Sequence, residues 1–198
     1  MQIPIFPLNG AILFPGTSLP LNIFESRYIE MIDYALSKDR CIGMIQTDEN
    51  KKIYKIGCVG KIHSFNETND GRYLISLQGI DCFRLIEEIK TDYKFRILKV
   101  ELLNNSLQND NDFTNKQKLE ILNIYKNYIK LKEINLDLTE IDNIDLNQLI
   151  KFIAMVSPFK NNEKQVLLET QNIEEFYHKL ISIIQLDIAE DNINKTLN

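Results

Sequence analysis

The hydrophobic pattern of the chain changes period near its middle, and that change limits the fold more than any single residue does. Up to Leu103 the apolar residues come in short runs, partly alternating, broken by glycine, proline and asparagine. From about Thr114 onward they recur at spacings of three and four, the signature of helices with one apolar face. The polar stretch Asn104 to Asn111 (Asn-Asn-Ser-Leu-Gln-Asn-Asp-Asn) separates the two regimes. A run of strands followed by a run of helices predicts an α+β protein, with a β-rich subdomain over 1–105 and a helical subdomain over 112–198.

In the first part, Ile3 to Leu8 reads as a short strand interrupted by Pro4 and Pro7, which suits a sheet edge. Asn9-Gly10 and Phe14-Pro15-Gly16 mark turns, and Ser18 to Ile23 is a further extended piece. A helix starts near Glu25-Ser26, with Tyr28, Ile32, Ala35 and Leu36 on its inner face. Cys41–Gln46, Ile53–Phe65, Arg72–Gln78, Asp81–Ile89 and Tyr93–Leu103 read as strands, and Asn66 to Gly71 as a hairpin loop. Gly57 and Gly60 lie inside a strand pattern, where glycine signals a bulge or close packing. The sum is a small antiparallel barrel or sandwich with an inserted helix.

In the second part, Leu119, Leu122, Tyr125 and Ile129 form one stripe of a helix from about Thr114 to Lys132. Asp145 with Gln148 resembles a capping box opening a helix with Leu149, Ile150, Ile153 and Met155, which Pro158 closes. Asn162 caps a short segment to Glu169. Asn172 with Glu175 opens a last helix bearing Phe176, Leu180, Ile183 and Ile184.

The residues offer little for catalysis. A phosphate-binding Gly-x-x-x-x-Gly-Lys-Ser/Thr has no match; Gly57-Cys58-Val59-Gly60-Lys61-Ile62 is too short and lacks the hydroxyl. No Gly-x-Ser-x-Gly elbow occurs. His63 and His178 stand in different halves, outside any His-Glu-x-x-His pattern. Cys41, Cys58 and Cys82 are far apart and read as small buried hydrophobes, not zinc ligands. The expectation is no catalytic residue, no metal and no cofactor. With a net charge of -5 and lysines scattered among acids, nucleic acid is not the expected partner. No apolar run approaches the roughly 20 residues of a membrane span, and no basic start precedes an apolar core, so a cytoplasmic protein without a membrane partner is expected.

One set of segments, in order along nearly the whole chain, carries a family resemblance. Ile3-Pro4-Ile5-Phe6-Pro7-Leu8, Leu13-Phe14-Pro15-Gly16 and Phe24-Glu25-Ser26-Arg27-Tyr28 resemble the opening of the N-terminal, substrate-binding domain of Lon-type ATP-dependent proteases. Ile56 to Ile62 resembles its central strand, and Gly79 to Leu85 its glycine-x-x-arginine-phenylalanine strand, with Phe83-Arg84 in swapped order. Ser157-Pro158-Phe159, Glu163 to Glu169 and Ile173-Glu174-Glu175 resemble its helical end. The resemblance implies a PUA-like β-barrel followed by a C-terminal helical bundle, and a role in recognising unfolded or tagged substrates. ATPase and protease segments do not follow, so a non-catalytic recognition module is expected, acting as an adaptor or chaperone-like factor.

Phe14, Pro15, Leu19, Pro20, Leu21 and Phe24 cluster around the proline-rich loop, and those that stay exposed would form a peptide-binding apolar patch. Glu25 and Arg27 read as a local pair that holds the start of the helix. Unfolded or tagged polypeptides are the expected partners, with a protease or chaperone beside them. RNA binding by the barrel, or regulation of a protease, stand as alternatives, and the sequence sets no oligomeric state.

Overall fold

The computed structural model describes residues 1–104, 115–136 and 144–196. Beyond Asn104, the expected divider and its 105/112 boundary lie outside the described residues, as does the expected helix start at Thr114. The elements are β1 (Gln2–Pro7), β2 (Ser18–Ile23), α1 (Ser26–Leu36), β3 (Cys41–Ile45), β4 (Ile56–Glu67), β5 (Tyr73–Ile89), β6 (Arg96–Leu102), α2 (Asn115–Leu131), α3 (Leu146–Val156), α4 (Asn161–Leu168) and α5 (Ile173–Thr196). Contacts group them into two compact units: the strands with α1 and α4, and the helices α2, α3 and α5.

In the strand-bearing unit the six strands run in the order β2-β5-β4-β3-β1-β6, and β5 also pairs with β6. That extra pairing closes β5, β4, β3, β1 and β6 into a ring, with β2 left as a flap on β5. Ile3, Ile5, Ile45, Val59, Phe83, Leu98 and Val100 fill its centre. Burying a ring such as that of Phe83 is worth roughly 1.5–3 kcal/mol. Gly57 is small because Phe83 needs the space: a Cβ there would press on that ring and on the Met44 carbonyl. The strand pattern 72–78 and 81–89 is one 17-residue strand, whose register shifts opposite Val59 and Gly60.

Two further expectations change in the strand-bearing unit. The first concerns β1, which is not an edge: it pairs antiparallel with β6 and parallel with β3, the parallel exception in the barrel. Met1 and Val100 exchange hydrogen bonds of 2.8 and 2.9 Å. Counting on by alternation turns Ile3 and Ile5 toward β6 and Pro4 away from it. On that other side the pairing to β3 begins only at Ile5, so the missing Pro4 N–H interrupts no ladder bond.

The second concerns the segment after Pro158, whose helix is capped at Lys160 and not at Asn162. The Glu163 carboxylate accepts the Lys160 N–H at 2.8 Å. The Asn161 side chain is engaged elsewhere, accepting the Gly10 N–H at 3.0 Å. Further bonds tie α4 to the strands: Lys164 Nζ to the Gly10 carbonyl at 2.8 Å, Gln46 Nε2 to the Asn161 carbonyl at 3.2 Å, and Gln165 Nε2 to the Ile56 carbonyl at 3.1 Å. Burial pushes the Lys164 ammonium below its ordinary value.

In the helical unit the α2 stripe sits one position round from the expected one. Ile121, Leu122, Tyr125 and Tyr128 are buried, whereas Leu119 is 62% exposed. A tyrosine can enter because its hydroxyl finds a partner: Tyr128 donates to Asp187 at 2.7 Å. Lys132 bridges Asp187 at 2.8 Å and Asp191 at 2.7 Å. Both expected caps form, with Asp145 accepting from the Gln148 N–H and Asn172 from the Glu175 N–H, each at 2.8 Å. No helix among the described residues is long and apolar enough to cross a membrane.

Tyr177 is buried and donates to Glu120 at 3.1 Å; burial first, then that carboxylate, push its hydroxyl from the ordinary 10.0 up to about 12. The fold therefore holds the neutral phenol, while the unfolded chain ionises near 10.0. This stabilisation is complete below that value and is lost as pH climbs toward about 12. Tyr177→Phe should cost about 1 kcal/mol at neutral pH but flatten the alkaline loss of stability, read by urea unfolding across that window.

Candidate functional site

The approach to β2 is built on a turn. Gly16, at φ 82°, lets the chain reverse after Pro15. The Thr17 N–H and hydroxyl both donate to the Phe14 carbonyl, at 3.1 and 2.8 Å. Gly16 N–H donates to the Gly79 carbonyl at 2.9 Å, and Gly79 N–H to the Thr17 carbonyl at 2.8 Å. The turn thus lies flat against β5, and Gly79 permits it: a Cβ there would collide with the Phe14 carbonyl.

This geometry divides the six expected peptide-binding residues. Phe14 and Pro15 are buried and leave the candidate surface. The turn that presses them against β5 is what puts them inside, a contact with no local signature in sequence. Leu19 and Leu21 are half-buried, Pro20 is exposed, and Phe24 is 67% exposed. Glu25 and Arg27 form the expected local pair at 2.8 Å, and the guanidinium lies over the Tyr28 ring at 4.5 Å, at the start of α1.

Among the described residues β2 pairs only with β5, in register from Ser18↔Gln78 to Ile23↔Tyr73. Because the Thr17 carbonyl takes the Gly79 N–H, ladder alternation turns the backbone of Leu19, Leu21 and Ile23 toward β5. The polar groups of Ser18, Pro20 and Asn22 then face the free edge. Pro20 falls where its missing donor costs the ladder nothing, and its ring blunts the edge. The edge still offers the N–H groups of Ser18 and Asn22 and three carbonyls, with Phe24 standing just past its end.

Sequence reasoning missed two exposed apolar residues near this strand. Leu74, opposite Asn22, is 42% exposed, and Phe65, 41% exposed, stands edge-on to Tyr73 with ring centroids 4.8 Å apart. Both belong to the β4–β5 hairpin, where polar neighbours such as Asn66 and Glu67 hide the signal. A separate cleft of about 570 Å³ is lined by Asn9, Thr47, Asp48, Tyr54 and Lys160 among others. His63 and His178 are both exposed. Cys58 and Cys82 are buried and Cys41 half-buried. Among the described residues no three His, Cys, Asp or Glu side chains gather as metal ligands.

Comparison with known proteins bears on this geometry. The family model for the ATP-dependent protease La (LON) substrate-binding domain matches residues 2–185. A Lon protease of Buchnera aphidicola is 28% identical over all of this chain and 26% of its own length. One from Dictyoglomus thermophilum is 26% identical over 95% of this chain and 25% of its own. The chain thus spans about a quarter of the curated relatives it matches. Among solved structures, a Lon N-terminal domain protein from Xanthomonas campestris superposes with a TM-score of 0.67 at 18% identity, covering 92% of this chain and 98% of that one. The N-terminal domain of a Mycobacterium avium complex Lon protease gives 0.68 at 16% identity, over 93% and 98%. At these identities the structures speak for the fold.

Gly79→Ala should lower stability by about 2 kcal/mol, because the Phe14 turn must move. Phe24→Ser, on an exposed side chain, should change it by less than ~0.5 kcal/mol. Urea midpoints of the two variants, compared with the parent chain, measure both.

Proposed function

This chain belongs to the family of Lon (ATP-dependent protease La) substrate-binding domains, and on that premise we propose that it captures extended segments of unfolded or tagged polypeptides without breaking bonds itself. The captured segment lies along β2. It adds as a further strand, its main chain bonding to the Ser18 and Asn22 N–H groups and to the carbonyls of Ser18, Pro20 and Asn22. Phe24 and Leu74 then meet alternate apolar side chains of the client. The observation that carries this reading is the edge of β2 left unpaired among the described residues, beside apolar side chains that stay in water.

A client in this mode has to be unfolded, because a folded one has already spent its main-chain donors on itself. It also has to carry apolar residues near the added strand. The module holds such a segment as an adaptor or chaperone-like factor, handing it to a protease or chaperone. The relatives support the partner class: they are Lon proteases, and the matching family model describes a substrate-binding domain.

Fluorescence anisotropy with a reduced, unfolded client tests the reading. Asn22→Pro removes an edge donor that β5 does not use. It should weaken binding about fivefold, the worth of one backbone hydrogen bond near 1 kcal/mol, while leaving the fold intact by circular dichroism. Phe24→Ser should weaken binding further at unchanged stability. Binding that is indifferent to both substitutions would remove β2 from the site, and no affinity for any denatured client would remove the reading itself.

A further inference from the structure

We propose that Cys58 and Cys82 are an oxidisable pair that closes a reversible disulfide across β4 and β5. The two residues are direct register partners in the antiparallel ladder. Three separate hydrogen bonds fix which kind of partner. The Leu103 N–H donates to the Cys82 carbonyl at 2.9 Å, turning the Cys82 backbone toward β6. The Leu85 N–H donates to the Lys55 carbonyl at 2.7 Å, which by alternation also turns residue 82 away from β4. The Ile62 N–H donates to the Arg40 carbonyl at 2.8 Å, which by the same count turns Cys58 toward β3 and away from β5.

Cys58 and Cys82 therefore face each other as a pair without ladder bonds between them. In such pairs the Cα atoms lie about 4.5 Å apart and the side chains approach most closely. Disulfides form over Cα separations of about 4.4–6.8 Å, so the backbone need not move for the bond to close. At the short end of that range the link is strained, and a strained link is easily reduced again. It would be a reporter of redox conditions, not a permanent staple.

The reduced state has its own arrangement. Cys82 Sγ donates to the Leu168 carbonyl, at the end of α4, at 3.8 Å, and Cys58 Sγ to the Val59 carbonyl at 3.6 Å. Oxidation withdraws both donors and leaves the last turn of α4 with one tie fewer to β5. Cys82 is the more exposed of the two residues, 6% against 0% for Cys58, and reacts first. With a low-molecular-weight disulfide as oxidant, the Cys82 thiolate attacks one of its sulfurs, the small disulfide's S–S bond breaks, and one small thiol leaves carrying the proton. The Cys58 thiolate then attacks Cys82 Sγ, the protein S–S bond forms, and the second small thiol leaves with the second proton. The protein loses two electrons and two protons, and the small disulfide becomes two thiols.

The test equilibrates the full chain, and its Cys41→Ser variant, in glutathione redox buffers, followed by acid quench, intact mass and non-reducing peptide mapping. The expected product is lighter by two hydrogens, linked between the peptides holding Cys58 and Cys82, and restored by dithiothreitol. The effective concentration of one thiol at the other should be at least about tenfold higher in the folded chain than in urea. An equal or lower value in the folded chain, a link to Cys41, or glutathione adducts alone would overturn the proposal. The unsubstituted chain carries the same reading should the Cys41 variant fold poorly.

Discussion

The strand-bearing unit depends on one 17-residue strand serving three neighbours. β5 bonds to β2 and β4 along its first half, and to β4 and β6 along its second. A straight strand has two edges, so three partners require a change of course along the way. The register shift opposite Val59 and Gly60 supplies it, and the ring closes because β5 can meet β6 beyond that point. Closure removes open edges from five strands, and the leftover polar groups of the sheet are concentrated on β2. The edge assigned to client capture is thus a by-product of how the barrel closes.

Glycine sets the tolerances of this arrangement. Gly57 makes room for Phe83 at the centre, and Gly79 makes room for the Phe14 turn at the rim. Between them they decide which apolar residues go inside. Phe83 fills the barrel, Phe14 is pinned beneath the turn, and Phe24, one residue beyond the end of the ladder, is left in water. The division of three phenylalanines among core, turn and surface follows from backbone contacts and not from hydrophobicity, which is equal for all three.

Much of the architecture was readable in advance because it is written in local chemistry. The turn glycines, the β4–β5 hairpin (its loop at 68–72, beginning two residues later than the 66–71 pattern suggests), the Asp145 and Asn172 caps and the strand bounds Ser18 to Ile23 all follow from neighbouring residues. What was not readable is long-range. Pro4 looked like an edge residue, because the stagger between β3 and β6 that accommodates it involves residues far along the chain. Phe14 and Pro15 looked available until β5 was set against them. The α2 stripe was misplaced because Tyr128 is apolar only once Asp187 takes its hydroxyl. At the candidate site, Phe24 and Pro20 were legible as candidates, though not which of the six would stay exposed, while Leu74 and Phe65 required the cross-strand register.

The helix α4 has a consequence for how this chain is made. It is bound to the Gly10 loop, to Gln46, to Ile56 and to Cys82, yet it is encoded after α2 and α3. During synthesis the first six strands leave the ribosome well before the segment that seals them. Nascent barrel, with Gln46 and the Cys58–Cys82 face still uncovered, has to wait for chain that has not yet been translated. Closing so long a loop is slow compared with forming hairpins, so the last step in maturing the β unit is set by the arrival of eight residues from the far side of the sequence.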